Sequence, residues 1–381
     1  MNRRKILTLT GGGIIVAAGV GVAGFALTRT PDKALIPWAQ AGSLYSEPRK
    51  RALSYAILAP NPHNRQPWLI DLSKEDKIIL HVDTDRLLPH TDPYNRQIAI
   101  GLGCFLEILR MAAAEDGYRV RMEAFPEGSG EHLDKRPVAT LSFEADETIK
   151  KDPLFAFVME RRSLKIPYDM KREIPNGDIE KLIALANDDV QINGTNDTSK
   201  VSELRQLTNE ASITELHTHR TNKESVDLMR IGKSEIEANP DGISLGGPFL
   251  EALSIFGLFT REGVLDPTSS IFKQGQEMLL AQSGSAMGHV WLVTKGNSRL
   301  DQLNAGRDWV RVNLTTTSVG LGLHPHSQSL QEWPEMKVHY DKCHALLAPD
   351  GGTVQMLGRL GYGEKIAPSP RWPLDTRIID A

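Results

Sequence analysis

Two clusters of polar side chains, far apart in the chain, have the composition of a binding site. The first is the loop Asn61-Pro62-His63-Asn64-Arg65-Gln66, entered through Pro60 and left through Pro67-Trp68. Each proline fixes its own φ and biases the residue before it toward extended geometry, so the loop is stiff. Amide and imidazole groups on a stiff loop suit a flat heteroaromatic ring with donors and acceptors along its edge. The second cluster is Glu160-Arg161-Arg162-Ser163-Leu164-Lys165, followed by Pro167-Tyr168-Asp169. Two guanidinium groups, a hydroxyl and an ammonium in so short a span can grip a phosphate. The Arg forks match its oxygens and the Ser adds a neutral donor. The plainer reading of such a run is a solvated basic patch at a helix end.

The loop resembles the Ser-Pro-x-x-x-Asn-x-Gln-Pro-Trp loop of the nitroreductase family of flavoproteins. The basic cluster is similar to that family's Arg-x-Ser-x-Arg/Lys signature, with Arg161, Ser163 and Lys165 in the three places. A third match closes the chain, where Gly361-Tyr362 and Ser369-Pro370-Arg371-Trp372-Pro373-Leu374 resemble the family's terminal tail. The resemblance implies an FMN cofactor whose phosphate is held by Arg161, Ser163 and Arg371, with Arg162 and Ser369 helping. It places Lys165 near N1 and O2 of the flavin. Asn61, Pro62, His63, Asn64 and Gln66 would reach the cofactor from the loop. Ser327 and Gln328 follow His324-Pro325-His326, where family members contact the isoalloxazine. The flavin carries the hydride chemistry, so no side chain need act as nucleophile or base.

The order of the motifs departs from the ordinary family pattern, in which the Arg-x-Ser signature precedes the loop. Here the loop comes first, nothing upstream of it reads Arg-x-Ser, and no second Asn-x-Gln-Pro-Trp follows Arg161. Two degenerate tandem copies account for this, one keeping the loop and the other the phosphate grip, as in the Acg-type branch of the family. The expected fold is therefore α+β and nitroreductase-like, a tandem pseudo-dimer of mostly antiparallel sheets flanked by helices. The expected divisions are residues 1–30 (export signal or anchor), 31–150 (first half) and 151–381 (second half). Each half carries a strand, at 77–83 and 289–294. Each then carries an apolar helix leading to glycine, at Gly117 and Gly320, as helix C-termini prefer. These two helices are expected to pack together inside one chain, which implies one FMN per chain and a monomer.

Met1-Asn2-Arg3-Arg4-Lys5 followed by an uncharged stretch from Leu7 to Leu27 resembles a twin-arginine export signal. It implies passage through the Tat translocase to the periplasm or the outer face of the membrane. A membrane anchor at 7–27 is the competing reading, since about 20 apolar residues can span a bilayer. Of 381 residues, 40% are hydrophobic and 24% charged, a balance able to bury a core, and the net charge of −4 gives no electrostatic reason to bind nucleic acid. Two cysteines, Cys104 and Cys343, are too few for a disulfide framework. His217-Thr218-His219 and His324-Pro325-His326 would share a strand face in pairs, but no carboxylate or cysteine cluster stands near them in sequence, so no metal site is expected. Residues 175–235 read as charged and helical, without chemistry. Residues 239–275, rich in Phe and Leu, are expected to cover the flavin in part. A flavin-storing protein without turnover is the alternative to an oxidoreductase, and the electron donor and acceptor are unknown.

Overall fold

The computed structural model describes residues 28–379, so the expected export signal lies outside the described residues. The chain first builds α1 (Asp32–Gln40), α2 (Pro48–Ala56), β1 (Trp68–Asp71), β2 (Lys77–Val82), α3 (Arg96–Glu115), β3 (Tyr118–Ala124) and β4 (Ala139–Ala145). It continues through α4 (Asn176–Ile183), β5 (Val190–Thr195), α5 (Thr198–His217), α6 (His219–Asp227), β6 (Met229–Ile231), α7 (Gly232–Ala238) and β7 (Ile243–Leu245). Then come α8 (Pro248–Ile255), α9 (Arg261–Leu265), α10 (Ser270–Gly284), β8 (Gly288–Thr294) and α11 (Arg299–Ser318). Last are β9 (Gly322–Pro325), α12 (Lys337–Leu347), β10 (Thr353–Gly361) and β11 (Ile378–Ile379).

The α+β arrangement of mostly antiparallel sheets flanked by helices expected from the sequence is the one observed. One sheet runs β11-β1-β2-β4-β3 and the other β5-β8-β10-β9, with β6-β7 a separate pair. Both large sheets are antiparallel except at one edge, where β11 lies parallel to β1 with Ile378 opposite Ile70. Alternation sets the faces: in β2, Ile78, Leu80 and Val82 point into the core while Lys77, Ile79 and His81 do not. The Glu47 carboxylate caps α2, accepting from the backbone of Arg49 and Lys50 at 3.2 and 2.9 Å, with Pro48 at the favoured first helical position.

The two long helices α3 and α11 pack against each other at the centre. Their backbones meet where both lack a Cβ. One built on Gly103 would stand 2.2 Å from the Leu303 carbonyl, and one on Gly306 2.0 Å from the Ile100 carbonyl. Cys104 seals the contact by donating its thiol to the Gly306 carbonyl at 3.1 Å. α3 is apolar and long enough to cross a membrane, yet it is almost wholly buried in the core. Glu107 lies in the same seam, bonded to Arg110 (2.6 Å) on its own helix and to Arg307 (3.2 Å) and Arg311 (3.0 Å) on the other.

Two expectations need correction. The stretch 175–235 is not helical throughout, because β5 joins the edge of the second sheet through Val190 and Ile192. His217 and His219 do not share a strand: one ends α5 and the other begins α6. His217 Nε2 instead bonds to the Gln276 side-chain carbonyl at 2.7 Å. Both cysteines are buried free thiols.

Candidate functional site

The loop after α2 is held in an uncommon backbone shape. His63, Asn64 and Gln66 have φ of 47, 50 and 51°, in the left-handed region that residues other than glycine rarely enter. Such strain persists only where the surroundings over-determine it. Here the Asn61 side chain accepts from the Gln66 N–H at 2.7 Å. The Asn64 amide donates to the Pro370 carbonyl at 3.0 Å. Gln66 is fully buried, donates to the Pro240 carbonyl at 2.8 Å and accepts from the Trp372 N–H at 2.9 Å. Asn64 and Gln66, expected to reach the cofactor, therefore fasten the loop to the C-terminal tail and are not among the residues lining the cavity below.

The tail arrives because β11 docks beside β1, which draws residues 369–377 under the loop. Arg371 is thereby buried and donates to the Ile57, Leu58 and Ala59 carbonyls at 2.8, 3.0 and 3.0 Å, and to Asn64 Oδ1 at 2.6 Å. These carbonyls follow the C-terminus of α2, where backbone acceptors have no helical partner. Arg161 is buried too, donating to the Leu58 carbonyl at 3.0 Å and to Asn313 Oδ1 of α11 at 3.1 Å. Arg162 lies over the Trp38 ring, 4.9 Å from its centroid, and Arg371 lies 5.6 Å from the same ring. Trp38 is anchored by its indole N–H, which donates to the Ser369 carbonyl at 2.8 Å.

This cluster has an electrostatic peculiarity. Arg161, Arg162, Arg371 and nearby Lys165 carry four cations, and among the described residues no carboxylate forms an ion pair with any of them. Burial pushes Arg161 down to about 10, and burial with its two Arg neighbours pushes Arg371 well below the usual guanidinium range. Arg161 Nε is buried with no hydrogen-bond partner. Burying charge without a counter-charge is costly, so the arrangement calls for an anion.

A cavity of about 340 Å³ opens beside the cluster, within the size range of small-molecule sites. Asn61, Pro62 and His63 from the loop line it together with Ser163, Lys165, Ser327 and Gln328 from the later part of the chain. Ile100, Gly101 and Cys104 of α3 and Trp309 of α11 add an apolar wall. At Gly101 a Cβ would come within 3.1 Å of Asn61 and Pro62, so the loop lies directly on α3. His63 Nδ1, His326 Nδ1 and Gln328 Oε1 are buried without partners. Burial, then Lys165 and Arg65, push His63 down to about 4, so its imidazole is neutral. Lys165 lines the cavity and is exposed as a residue, while desolvation lowers its ammonium from the usual value.

The structure thus brings seven of the thirteen expected residues around one cavity and sets Arg161, Arg162 and Arg371 in the adjoining basic cluster. Ser369 is exposed and contributes its carbonyl to Trp38. Among 239–275, Ile243 lines the cavity, while Phe249, Ile255, Phe256 and Leu258 stand exposed. Sequence reasoning missed Trp38, Asn313 and Glu215. Asn313 left one signal, an amide inside a helix whose neighbours are Val312 and Leu314. A second, more open cavity of about 440 Å³ between Leu88, His90 and Lys223 has no comparable set of unpartnered groups.

No family model matches the chain. It is 25% identical over 341 residues to "Putative NAD(P)H nitroreductase Rv3131" of Mycobacterium tuberculosis, covering 86% of this chain and 89% of the relative. It is 31% identical over 121 residues to "Putative NAD(P)H nitroreductase acg" of the same organism, covering 31% of this chain and 35% of that one. Among solved structures, a "putative nitroreductase" of Anabaena variabilis matches 93% of both chains at 11% identity and a TM-score of 0.45. The nitroreductase resemblance is thus supported by relatives that carry that name.

Proposed function

We propose that the protein is an FMN-binding oxidoreductase of the nitroreductase family that passes electrons to a small organic acceptor. The observation that carries this reading is the cluster of buried Arg161 and Arg371 with half-buried Arg162, which has no carboxylate ion-pair partner among the described residues and is joined through Ser163 and Lys165 to a cavity lined by unpartnered polar atoms. A phosphate with a flat ring attached meets both needs. Arg161, Arg371 and Ser163 hold the phosphate, with Arg162 and Ser369 flanking it. Lys165 stands by the pyrimidine edge, where a cation favours negative charge on the ring. Asn61, Pro62 and His63 hold the ring from the loop, and the unpartnered His63 Nδ1 and Gln328 Oε1 offer it hydrogen bonds. When bound, FMN supplies hydride transfer, and the protein supplies position, charge and exclusion of water.

The loop and the phosphate grip belong to different tandem halves, 31–150 and 151–381, so one chain builds one site and needs no partner subunit. Residues 1–30 direct export by the Tat pathway, which carries folded, cofactor-loaded proteins. Purified full-length protein should show a flavin absorbance spectrum, and released cofactor should be FMN. A colourless protein that fails to quench added FMN fluorescence would sink the reading. Storage of FMN without turnover is the second reading, favoured by the way Ile243, Leu279 and Gln282 wall the cavity from the 239–284 segment. Stopped-flow reduction by NADPH or by a quinol separates the two, since a storage protein stays oxidised with both.

A further inference from the structure

Among the described residues one carboxyl group lines the cavity, and it comes from a region without recognisable motif. Glu215, on the last turn of α5, lines the cavity with Gln97, Gln282 and Gln331. Its Oε2 accepts from Gln331 Nε2 at 3.2 Å, and Gln331 Oε1 in turn accepts from the buried Trp333 indole at 3.0 Å, so the acid is oriented from behind. Its backbone carbonyl accepts from Thr221 Oγ1 at 2.7 Å, which fixes the end of the helix.

We propose that Glu215 exchanges the proton that accompanies hydride transfer to the second substrate, an acceptor that takes up one hydride and one proton, as a quinone does. The proposal rests on the flavin reading above. Reducing a quinone to a quinol takes one hydride and one proton. The hydride, with its electron pair, comes from the reduced flavin, which is oxidised. The proton comes from the Glu215 carboxyl, which is left as carboxylate and is reprotonated from solvent. In the reverse direction, the carboxylate takes the proton of a quinol.

The other titratable groups around the cavity are poorly matched to this task. Burial pushes His63 down to about 4 and His326 to about 3, holds His324 well below the usual imidazole range, and pushes the Cys104 thiol up to about 12. Lys165 is committed to the anionic edge of the ring. Burial, opposed by the Gln331 bond and reinforced by Glu224, pushes Glu215 up to about 7, near the value at which an acid both holds and gives up its proton at neutrality. Of the charged groups on elements packed around α5, Lys273 and Glu277 of α10 are exposed, and the following are engaged elsewhere. Glu224 accepts from the His90 and Thr91 N–H groups, Arg220 pairs with Glu335, Lys342 with Glu210, and His339 bonds to Thr214.

The test uses flavin-loaded full-length protein, with 2-methyl-1,4-naphthoquinone as the probe. Two measurements are made on wild type, Glu215→Gln and Glu215→Asp: reoxidation of the reduced flavin across pH 5.5–8.5, and infrared difference spectra of the carboxyl stretch over the same range without quinone. Wild type should lose rate as pH rises through about 7, and a protonated carboxyl band should disappear over the same interval. Glu215→Gln should bind flavin normally, lack that band, and reoxidise roughly 10²-fold more slowly with no inflection. Glu215→Asp should restore an inflection. A flavin-loaded Glu215→Gln protein with the wild-type rate and pH profile overturns the proposal alone. A band that persists in Glu215→Gln assigns the titration to another group and also overturns it. A wild-type protein without flavin overturns the reading on which it rests.

Discussion

Arg371 and Arg161 look alike in the sequence and differ in what they hold. Arg371 satisfies three backbone carbonyls after α2 as well as Asn64, whereas Arg161 satisfies one carbonyl and one amide. Replacing Arg371 by Ala strands several buried acceptors at roughly 1–3 kcal/mol each, so the loop should loosen and stability fall by about 3 kcal/mol or more. Arg161→Ala relieves an unpaired buried charge while removing a phosphate ligand. Its FMN affinity should fall by roughly 1.5–3 kcal/mol, the worth of a charge-assisted hydrogen bond, with a smaller loss of stability. Denaturant midpoints with and without saturating FMN separate the two effects. Equal losses of stability in both variants would contradict this division. Glu215 adds a pH dependence of its own. Its folded pKa is raised to about 7, above the unfolded value near 4.3. Its contribution to stability is therefore full below that unfolded value and is lost as pH rises through about 7. Glu215→Gln should flatten that part of the stability curve.

The helix pair shows which features can be read without coordinates. Both helices were legible from small apolar residues and terminal glycines, and Gly117 and Gly320 do take positive φ just beyond them. Their contact through Gly103 and Gly306 was not, because a glycine in a helix pattern carries no mark of what its missing Cβ would strike. The strand β5 was hidden by its polar residues, Gln191 and Asn193, alternating with Val190 and Ile192 at the sheet edge. Arg161, Ser163, Lys165 and the loop were legible because their chemistry is local in sequence. Trp38 and Glu215 were not, because each meets the site only through tertiary packing. Two predictions belong to this seam. Gly306→Ala would drive a methyl group into the Ile100 carbonyl, which a helix backbone cannot yield, so destabilisation should reach about 3 kcal/mol. Gly117→Ala has open space around it and should cost about 1–2 kcal/mol, the left-handed conformation alone. Thermal unfolding of both variants decides the order. Glu107 supplies the second. Burial would raise its carboxyl, but Arg110, Arg307 and Arg311 outweigh burial and hold it below the usual carboxylate range. Its stabilisation is thus present above the unfolded pKa of about 4.3 and is lost as pH falls through the depressed folded value. Glu107→Gln should remove that acid-limb slope in chemical denaturation.

At the scale of the whole molecule, α3 packs against α11 within one chain, and under the proposed tandem reading this pairing takes the place of a second subunit. One chain then has one loop of the Asn61–Gln66 kind and one Arg161–Lys165 grip, and it brings them to a single cavity. Under that reading the corresponding position of the first half has neither, since it offers Glu47-Pro48-Arg49 where a grip would stand. Arg49 is already spent on the Lys74 and Lys77 carbonyls at 2.8 and 2.7 Å. Stoichiometry follows from that asymmetry. Titrating apoprotein with FMN should saturate at one equivalent per chain, and sedimentation equilibrium should return the mass of a single chain. The two measurements together are decisive. A dimer binding one FMN per chain would keep the internal site and add a separate association. A dimer binding one FMN in total would mean that the cavity is completed by a second copy, and the internal pairing would lose its functional meaning. Saturation should also raise the unfolding free energy by about 2.7 kcal/mol when free FMN stands at 100 times its Kd. That gain should shrink in Arg161→Ala at the same FMN concentration, because the weaker complex is less saturated.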